Sequence, residues 1–339
     1  MNALSIADIA KHCGVSKATV SRVINNNPNG VGEATRKKVQ QAIEELNYRP
    51  NVLARGVAVS RSHMIGVVVP DVSNFFYPAI LRGIGDKLEE RGYSLIVCNS
   101  DYDPAREAEL LMSLVDRRVD GAILCSGYSN TQFLQAFRKY NIRLALLGRT
   151  FDQSVSDASI TGDNALGNRL AMTYLINNGH RRIAYIEGKT EISGSRQRLA
   201  GYRQSLEESG IAFDAALLQS FDYSIEFGRQ AIRNYIEAGI AFDAVVTGSD
   251  LIAIGAVSEL LDRGISIPGE IEVIGFDNIE LSKVFRPALS TVSKPHYEMA
   301  QFLAEQIVDI IEGRQSGMQH MVVKPTLCLR ETTRQQNGL

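Results

Sequence analysis

The chain has 339 residues, 45% of them apolar and 22% charged, with 9 prolines, a length that suggests roughly two or three domains. Its longest apolar runs, such as Ile65–Pro70 and Ala122–Cys125, are strand-sized, so no segment is expected to span a membrane. Met1–Ala10 lacks the cationic start and apolar core of a secretory leader, which places the chain in the cytoplasm as an expectation.

The formal net charge of −2 argues against nucleic acid, but its distribution reverses that reading. Residues 1–61 hold nine basic and four acidic residues, leaving 27 of the 36 basic and 34 of the 38 acidic residues for the remainder. A basic head on an acidic body is expected when only one end meets phosphate. Cys13, Cys98, Cys125 and Cys328 are far apart and form no C-x-x-C pair, so they read as buried free thiols.

Ser5-Ile6-Ala7-Asp8 reads as a capping box opening a short helix with Ile6, Ile9 and Ala10 on one face. Gly14-Val15 ends it, and Ser16 caps a second helix, Lys17–Asn25, whose inner face is Val20, Val23 and Ile24. Two short helices joined by a Gly-containing turn make a helix-turn-helix. In that geometry the second helix enters the major groove and offers its outward N-terminal residues to base edges. These are Lys17, Ala18 and Arg22, flanked by Ser16, Thr19 and Asn25; Arg22 can reach guanine with two hydrogen bonds and Ala18 can touch a thymine methyl. A third helix, Glu33–Leu46, completes the core with Val39, Ala42, Ile43 and Leu46, leaving Arg36, Lys37 and Lys38 outside.

The runs Ala7-Asp8-Ile9-Ala10, Gly14-Val15-Ser16-Lys17-Ala18-Thr19-Val20-Ser21-Arg22-Val23-Ile24-Asn25 and Leu46-Asn47-Tyr48-Arg49-Pro50-Asn51 resemble the head of the LacI/GalR family of bacterial repressors. The resemblance implies a hinge over residues 50–62 that folds into a helix on operator DNA and wedges an apolar side chain into the minor groove. Asn51, Ala54 and Val57 are its DNA-facing positions, Val57 being the wedge where many relatives carry leucine. Gly56 and β-branched Val57 lower helix propensity, and valine fills less space between unstacked bases, which implies a weaker hinge or a different central base step.

From His63 the chain alternates strand-like runs with amphipathic stretches. Met64–Pro70, Ser94–Asn99, Gly121–Cys125 and Leu144–Leu147 form one strand series, and Arg182–Glu187, Leu217–Phe221, Ala244–Thr247 and Glu272–Gly275 a second. Helices are predicted over Phe76–Arg91, Arg106–Val119, Asn164–Asn178, Ser195–Ser209, Ser224–Glu237 and Leu251–Arg263. Repeated βα units predict parallel sheets covered on both faces, and two series predict two Rossmann-like lobes of a duplicated plan. Ligands then bind beyond the carboxyl ends of the strands, in the cleft between the lobes. Gly83-Ile84-Gly85 falls inside a helix and is no dinucleotide fingerprint. No Walker loop, G-x-S-x-G or H-E-x-x-H occurs, so neither an enzyme nor a metal or other cofactor is expected. His180 reads as a structural bridge.

Gly179-His180-Arg181-Arg182-Ile183-Ala184, Arg198-Leu199-Ala200-Gly201-Tyr202 and Val273-Ile274-Gly275-Phe276-Asp277-Asn278 resemble the sensor signatures of the same family, whose sensors are similar to periplasmic sugar-binding proteins. The resemblance implies three crossovers between lobes, placed near Ile160–Asp163, Ser290–Lys294 and His320–Lys324. Lobe 1 is then about 63–160 with 294–321, lobe 2 about 162–291 with 322–330, and 331–339 a polar tail. It also implies a pocket with Phe76, Tyr77, Arg198, Ser249, Asp277 and an aromatic platform, Tyr223.

Two positions carry the effector class. Lys294 stands where many sugar-binding relatives have glutamine, and Arg149 follows the strand Leu144–Leu147. With Arg198 they would place three cations around one ligand, opposed mainly by Asp277, which predicts an anionic sugar derivative. Pairing of Arg149 with Asp152 or Asp163, and Lys294 turned to solvent, would remove that prediction. Residues 331–339 are too short and polar for a tetramerising coiled coil, so a homodimer on a near-palindromic operator is expected, with a neutral sugar or a phosphoprotein coregulator as alternative inputs. A solute-binding protein is the rival outside this class; the body fits it and the basic head does not.

Overall fold

The computed structural model describes residues 4–24, 29–48, 61–125, 134–148, 156–315 and 319–334. Asn25, Arg149 and the hinge positions Asn51, Ala54 and Val57 lie outside them. The chain divides into two compact units, Met1–Ser62 and His63–Leu339.

The first unit is three helices, α1 (Ile6–Cys13), α2 (Lys17–Ile24) and α3 (Glu33–Glu45). The predicted capping box is present: the Asp8 carboxylate accepts the Ser5 amide at 2.8 Å and the Ser5 hydroxyl at 2.7 Å. Those bonds hold the exposed Asp8 carboxyl below its usual range. Gly14 ends α1 at φ 63°, a left-handed turn that suits glycine. Ser16 accepts the Thr19 amide at 3.1 Å and opens α2. Ile9, Ala10, Val20, Val23, Val39 and Ala42 close the core, with Ile43 and Leu46 packed at its edge.

The second unit holds two six-stranded sheets. Sheet 1 contains β1 (Met64–Val69), β2 (Ser94–Asn99), β3 (Gly121–Leu124), β4 (Arg143–Leu147), β5 (Ala158–Gly162) and β11 (Gln319–Val323), in the order β11-β5-β4-β3-β1-β2. Sheet 2 contains β6 (Ile183–Glu187), β7 (Leu218–Ser220), β8 (Ala244–Thr247), β9 (Glu272–Phe276), β10 (Ser290–Ser293) and β12 (Thr326–Cys328), in the order β12-β10-β9-β8-β6-β7. Every pairing is parallel except β10 with β12. Five strands of each sheet repeat one order, so the duplication read from spacing is a duplication of topology.

Helices cover both faces of each sheet. In lobe 1 these are α4 (Tyr77–Glu90), α5 (Pro104–Asp116), α6 (Leu134–Lys139) and α12 (His296–Glu312); in lobe 2 they are α7 (Asn164–Asn177), α8 (Ser193–Glu208), α9 (Ile225–Glu237), α10 (Asp250–Asp262) and the short α11 (Glu280–Val284). Alternate residues of β1 go opposite ways: Ile65, Val67 and Val69 meet Ile80 and Ile84 of α4 and Leu303 and Ile307 of α12, while Val68 meets Leu111 and Leu114 of α5. Burial on both faces makes such strands near-continuous apolar runs. Gly83, inside α4 as expected, lets that helix approach the Tyr297 backbone, where a Cβ would collide with the carbonyl. No helix of the described residues is long and apolar enough to cross a membrane.

Three boundaries differ from the sequence expectation. The stretches assigned to crossovers are largely strand: Ile160–Gly162 belongs to β5, Ser290–Ser293 to β10 and His320–Val323 to β11, so the chain changes lobe at Asp163, Lys294 and Lys324. Helix α12 was not among the expected elements. Residues Glu331–Arg334, assigned to a polar tail, are built into lobe 2. Thr332 is fully buried, its carbonyl accepts the Val273 amide at 3.0 Å and its hydroxyl accepts the Ser290 amide at 2.8 Å.

Candidate functional site

In the head, Ser16, Lys17, Ala18 and Arg22 are exposed and Thr19 is half-buried. Lys17, Ala18 and Arg22 therefore share the outer surface of α2 opposite Val20 and Val23, as predicted from spacing. The Arg22 guanidinium lies beside Gly30, where an added Cβ would sit 3.1 Å from it.

Both lobes follow the doubly wound order 2-1-3-4-5, whose ligands collect at strand carboxyl ends around the topological switch point. The segments after those ends border one cavity of about 100 Å³. After β1, the Asn74 side chain accepts the Phe76 amide at 3.0 Å and directs Phe76 and Tyr77 to the cavity. After β8, Ser249 lines it and caps α10, accepting the Ile252 amide at 3.4 Å. Tyr102 of lobe 1 stacks on Tyr223 of lobe 2 with ring centroids 6.2 Å apart.

Arg198 is where the sequence reading needs correction. Its Nε donates to Glu187 at 3.1 Å and its outer nitrogen to the same carboxylate at 2.8 Å, with Glu187 fully buried at the end of β6. Burial disfavours the guanidinium most strongly, but the Glu187 charge and hydrogen bonds, together with the Tyr223 and Tyr185 oxygens, outweigh it and hold the Arg198 pKa well above its usual value. Tyr223 accepts from Arg198 at 2.9 Å and pairs with the Ser195 hydroxyl, while Tyr185 donates to Glu187. The predicted cation is therefore one half of a buried ion pair, and Glu187, absent from the sequence expectation, opposes it.

Asp277 stands at φ 104° and Asn278 at φ 52°, a conformation side chains rarely adopt. The buckle is over-determined. The Asp277 amide reaches the Val292 carbonyl at 2.8 Å, the Asn278 side chain donates to Ser293 at 3.0 Å, and Arg330 donates to Asn278 at 2.6 Å. Strain held in place this way is characteristic of functional positions.

Lys294 does not turn to solvent. Its side chain is 8% exposed, its ammonium lies 3.6 Å from Asp277 and 4.7 Å from the Phe276 ring centroid, and it donates to Asn164 at 3.1 Å. Burial pushes the Lys294 pKa down and the Asp277 pKa up, and each ion partly offsets the other's shift. Asp163 is used as the cap of α7, accepting the Leu166 amide at 2.9 Å. Among the described residues Arg198, Lys294 and Asp277 line the cavity, with Glu187 paired to Arg198 behind it; Arg149, the third expected cation, lies outside them.

His296, also missed, lines the same cavity. His180 bridges Asp243 at 3.4 Å and Glu272 at 3.0 Å, as its structural reading implied.

Residues 62–328 match the model for periplasmic binding proteins and the sugar-binding domain of the LacI family, and residues 5–51 match the model for bacterial regulatory proteins of the lacI family. The chain is 35% identical to the HTH-type transcriptional regulator RegA of Clostridium saccharobutylicum, over 98% of this chain and 99% of that one. It is 36% identical to catabolite control protein A of Priestia megaterium, over 87% and 89%. Among solved structures, the lac repressor dimer bound to operator and the anti-inducer ONPF superposes with a TM-score of 0.86 at 26% identity, covering 98% of this chain and 99% of that one. A head match alongside the sensor match removes the solute-binding-protein alternative. The chain belongs to the LacI family and is a transcriptional regulator, with a helix-turn-helix head and a two-lobed sensor of the sugar-binding type.

Proposed function

We propose that this regulator is a repressor that binds a near-palindromic operator as a homodimer, in the cytoplasm, and that a small polyhydroxylated molecule held between the lobes sets its affinity for DNA. The observation that carries the effector half is the convergence of Arg198–Glu187 and Asp277–Lys294 on one small cavity bordered by Tyr223. Alternating donors and acceptors beside an aromatic ring suit the hydroxyls and apolar face of a sugar. The exposed row Lys17, Ala18 and Arg22 supports the DNA half, with the hinge positions Asn51, Ala54 and Val57 as further DNA contacts. Two heads in a symmetric dimer meet two half-sites. Ligand favours one lobe-to-lobe angle, and whatever weakens operator binding binds more weakly to the DNA-bound protein.

An acidic group on the ligand is the second reading, and Lys294 favours it. Among the described residues its buried ammonium donates to Asn164 at 3.1 Å and meets Asp277 at a looser 3.6 Å, so a ligand carboxylate would complete its surroundings. Arg149 would add to that preference. The Glu187 charge on Arg198 weighs the other way.

Thermal melts with matched neutral sugars, their aldonic or keto acids and their phosphates test both readings. A ligand that binds only the folded state raises the melting temperature by mass action. A rise with acids or phosphates alone, lost in Lys294→Gln or Arg149→Ala, supports the acidic effector; a rise with neutral sugars alone sets it aside. The same probe is expected to release a palindromic operator fragment. Operator binding indifferent to salt, against the steep loss phosphate contacts impose, overturns the DNA half.

A further inference from the structure

Among the described residues, the cavity wall carries a buried polar atom that lacks a close hydrogen-bond partner. Nε2 of His296 is buried and has no hydrogen-bond partner within 3.5 Å among the described residues. It lies 3.9 Å from Oδ1 of Asp277, and the side chain is 11% exposed. The imidazole packs edge-on against Phe76, ring centroids 4.7 Å apart, and lines the same cavity as Arg198 and Lys294. Burial first, and then the Lys294 ammonium, push its pKa down to about 3, so the ring is neutral near pH 7.

The chemistry of the three neighbours is complementary. An ionised Asp277 only accepts, Lys294 only donates, and a neutral imidazole has one nitrogen of each kind. A buried nitrogen without a partner costs stability that an apolar ring in its place would not. Phenylalanine would keep the edge contact with Phe76 and leave no orphan.

We propose that His296 is a specificity-determining residue of the effector site, its Nε2 exchanging a hydrogen bond with a ligand hydroxyl that neighbours the hydroxyl taken by Asp277. The ligand class that follows is a compound with hydroxyls on adjacent carbons, in a ring-form sugar or a polyhydroxy acid. The 3.9 Å between the two protein atoms is a spacing that such a diol bridges, with Lys294 donating to its lone pairs. The inference rests on the cleft being the effector site, and it makes His296 the group that tells a hydroxyl from a hydrogen at one carbon.

The test uses the full chain as parent, His296→Phe and His296→Gln. Each is melted alone and titrated with D-ribose, D-glucose, D-gluconate, 2-deoxy-D-ribose and 2-deoxy-D-glucose. A probe with the full diol that raises the parent's melting temperature is expected to bind His296→Phe about tenfold more weakly, the loss of one hydrogen bond worth about 1.4 kcal/mol. Binding is regained in His296→Gln, whose amide still accepts and donates. Without ligand, His296→Phe is expected to melt at or above the parent temperature, because it removes an unpartnered polar atom. Equal probe affinity in His296→Phe and the parent overturns the proposal, as does a ligand-free melting temperature lowered in both variants, the signature of a structural histidine. No shift of the parent with any probe overturns the effector reading itself and the proposal with it; the two failures are told apart by the parent alone.

Discussion

The two lobes share one strand order and present different chemistry at the ends of those strands, with the charged side chains concentrated on lobe 2. Lobe 1 lines the cavity largely with apolar and aromatic groups, Phe76, Tyr77, Cys125 and Leu147, and adds the polar Asn74, Tyr102 and His296. Lobe 2 lines it with Arg198, Tyr223, Ser249 and Asp277, with buried Glu187 behind. Topology therefore decides where a ligand sits, while the residue at each strand end decides what it meets. Under the proposed effector reading, lobe 2 supplies the groups that anchor hydroxyls.

The largest expected effect breaks this asymmetry at its source. Glu187→Gln leaves the Arg198 guanidinium buried without its counter-charge, a loss of about 3–5 kcal/mol in unfolding free energy by urea denaturation. The double variant Glu187→Leu, Arg198→Met is expected to recover most of it, because well-packed apolar replacements of a buried pair are often neutral, while ligand response is lost. A loss under about 1 kcal/mol in the single variant would mean the pair is solvated and lobe 2 is no more charged inside than lobe 1.

Next in size is a pH effect at the seam between the lobes. The His296 pKa is about 3 in the folded chain against 6.5 when free. Below pH 6.5 the unfolded chain therefore takes up a proton that the folded chain refuses. Stability from this residue is complete above that pH and falls as acid is added, by about 2 kcal/mol between about pH 7 and about pH 5. Asp277 opposes part of this loss, since its pKa is raised in the folded state. Urea melts at both pH values should show a smaller loss in His296→Phe; equal losses in parent and variant would place the acid sensitivity elsewhere.

Sequence pattern made the scaffold legible and the charge balance illegible, for a physical reason. Strands such as Ile65–Val69 and Val245–Thr247 are buried on both faces and read as apolar runs. The strands at the lobe changes do not: Ala158–Gly162 (Ala-Ser-Ile-Thr-Gly) and Ser290–Ser293 (Ser-Thr-Val-Ser) are small and hydroxyl-rich, and read as connections. Helix α12 left a usable pattern, with Met299, Leu303 and Ile307 beside Ala300, Ala304 and Val308 at four-residue spacing. Glu187 gave none. A glutamate closing a strand is expected to face solvent, and only the fold of α8 back over β6 brings Arg198, eleven positions later, onto it. Spacing finds helices and sheets because it is periodic; a buried pair between two elements is not.

The smallest expected effect asks whether the two scaffolds are as equivalent as their strand orders say. The connection from β2 into α5 and the connection from β7 into α9 occupy corresponding places, and each helix has a side-chain cap. Asp103 accepts the Ala105 amide at 2.8 Å, and Ser224 accepts the Phe227 amide at 3.0 Å. Removing either cap strands one amide at a helix start, so Asp103→Ala and Ser224→Ala should each cost about 1 kcal/mol of unfolding free energy. Asp103 also carries a negative charge at the positive end of the helix dipole, which adds a few tenths of a kcal/mol at low salt and vanishes at high salt. The two losses should therefore differ slightly in dilute buffer and converge as salt is added. A gap above about 1 kcal/mol at high salt, near the upper end of what such a cap contributes, would mean that the lobes divide stability unequally. The contrast between them would then lie in the scaffold as well as in the residues at its strand ends.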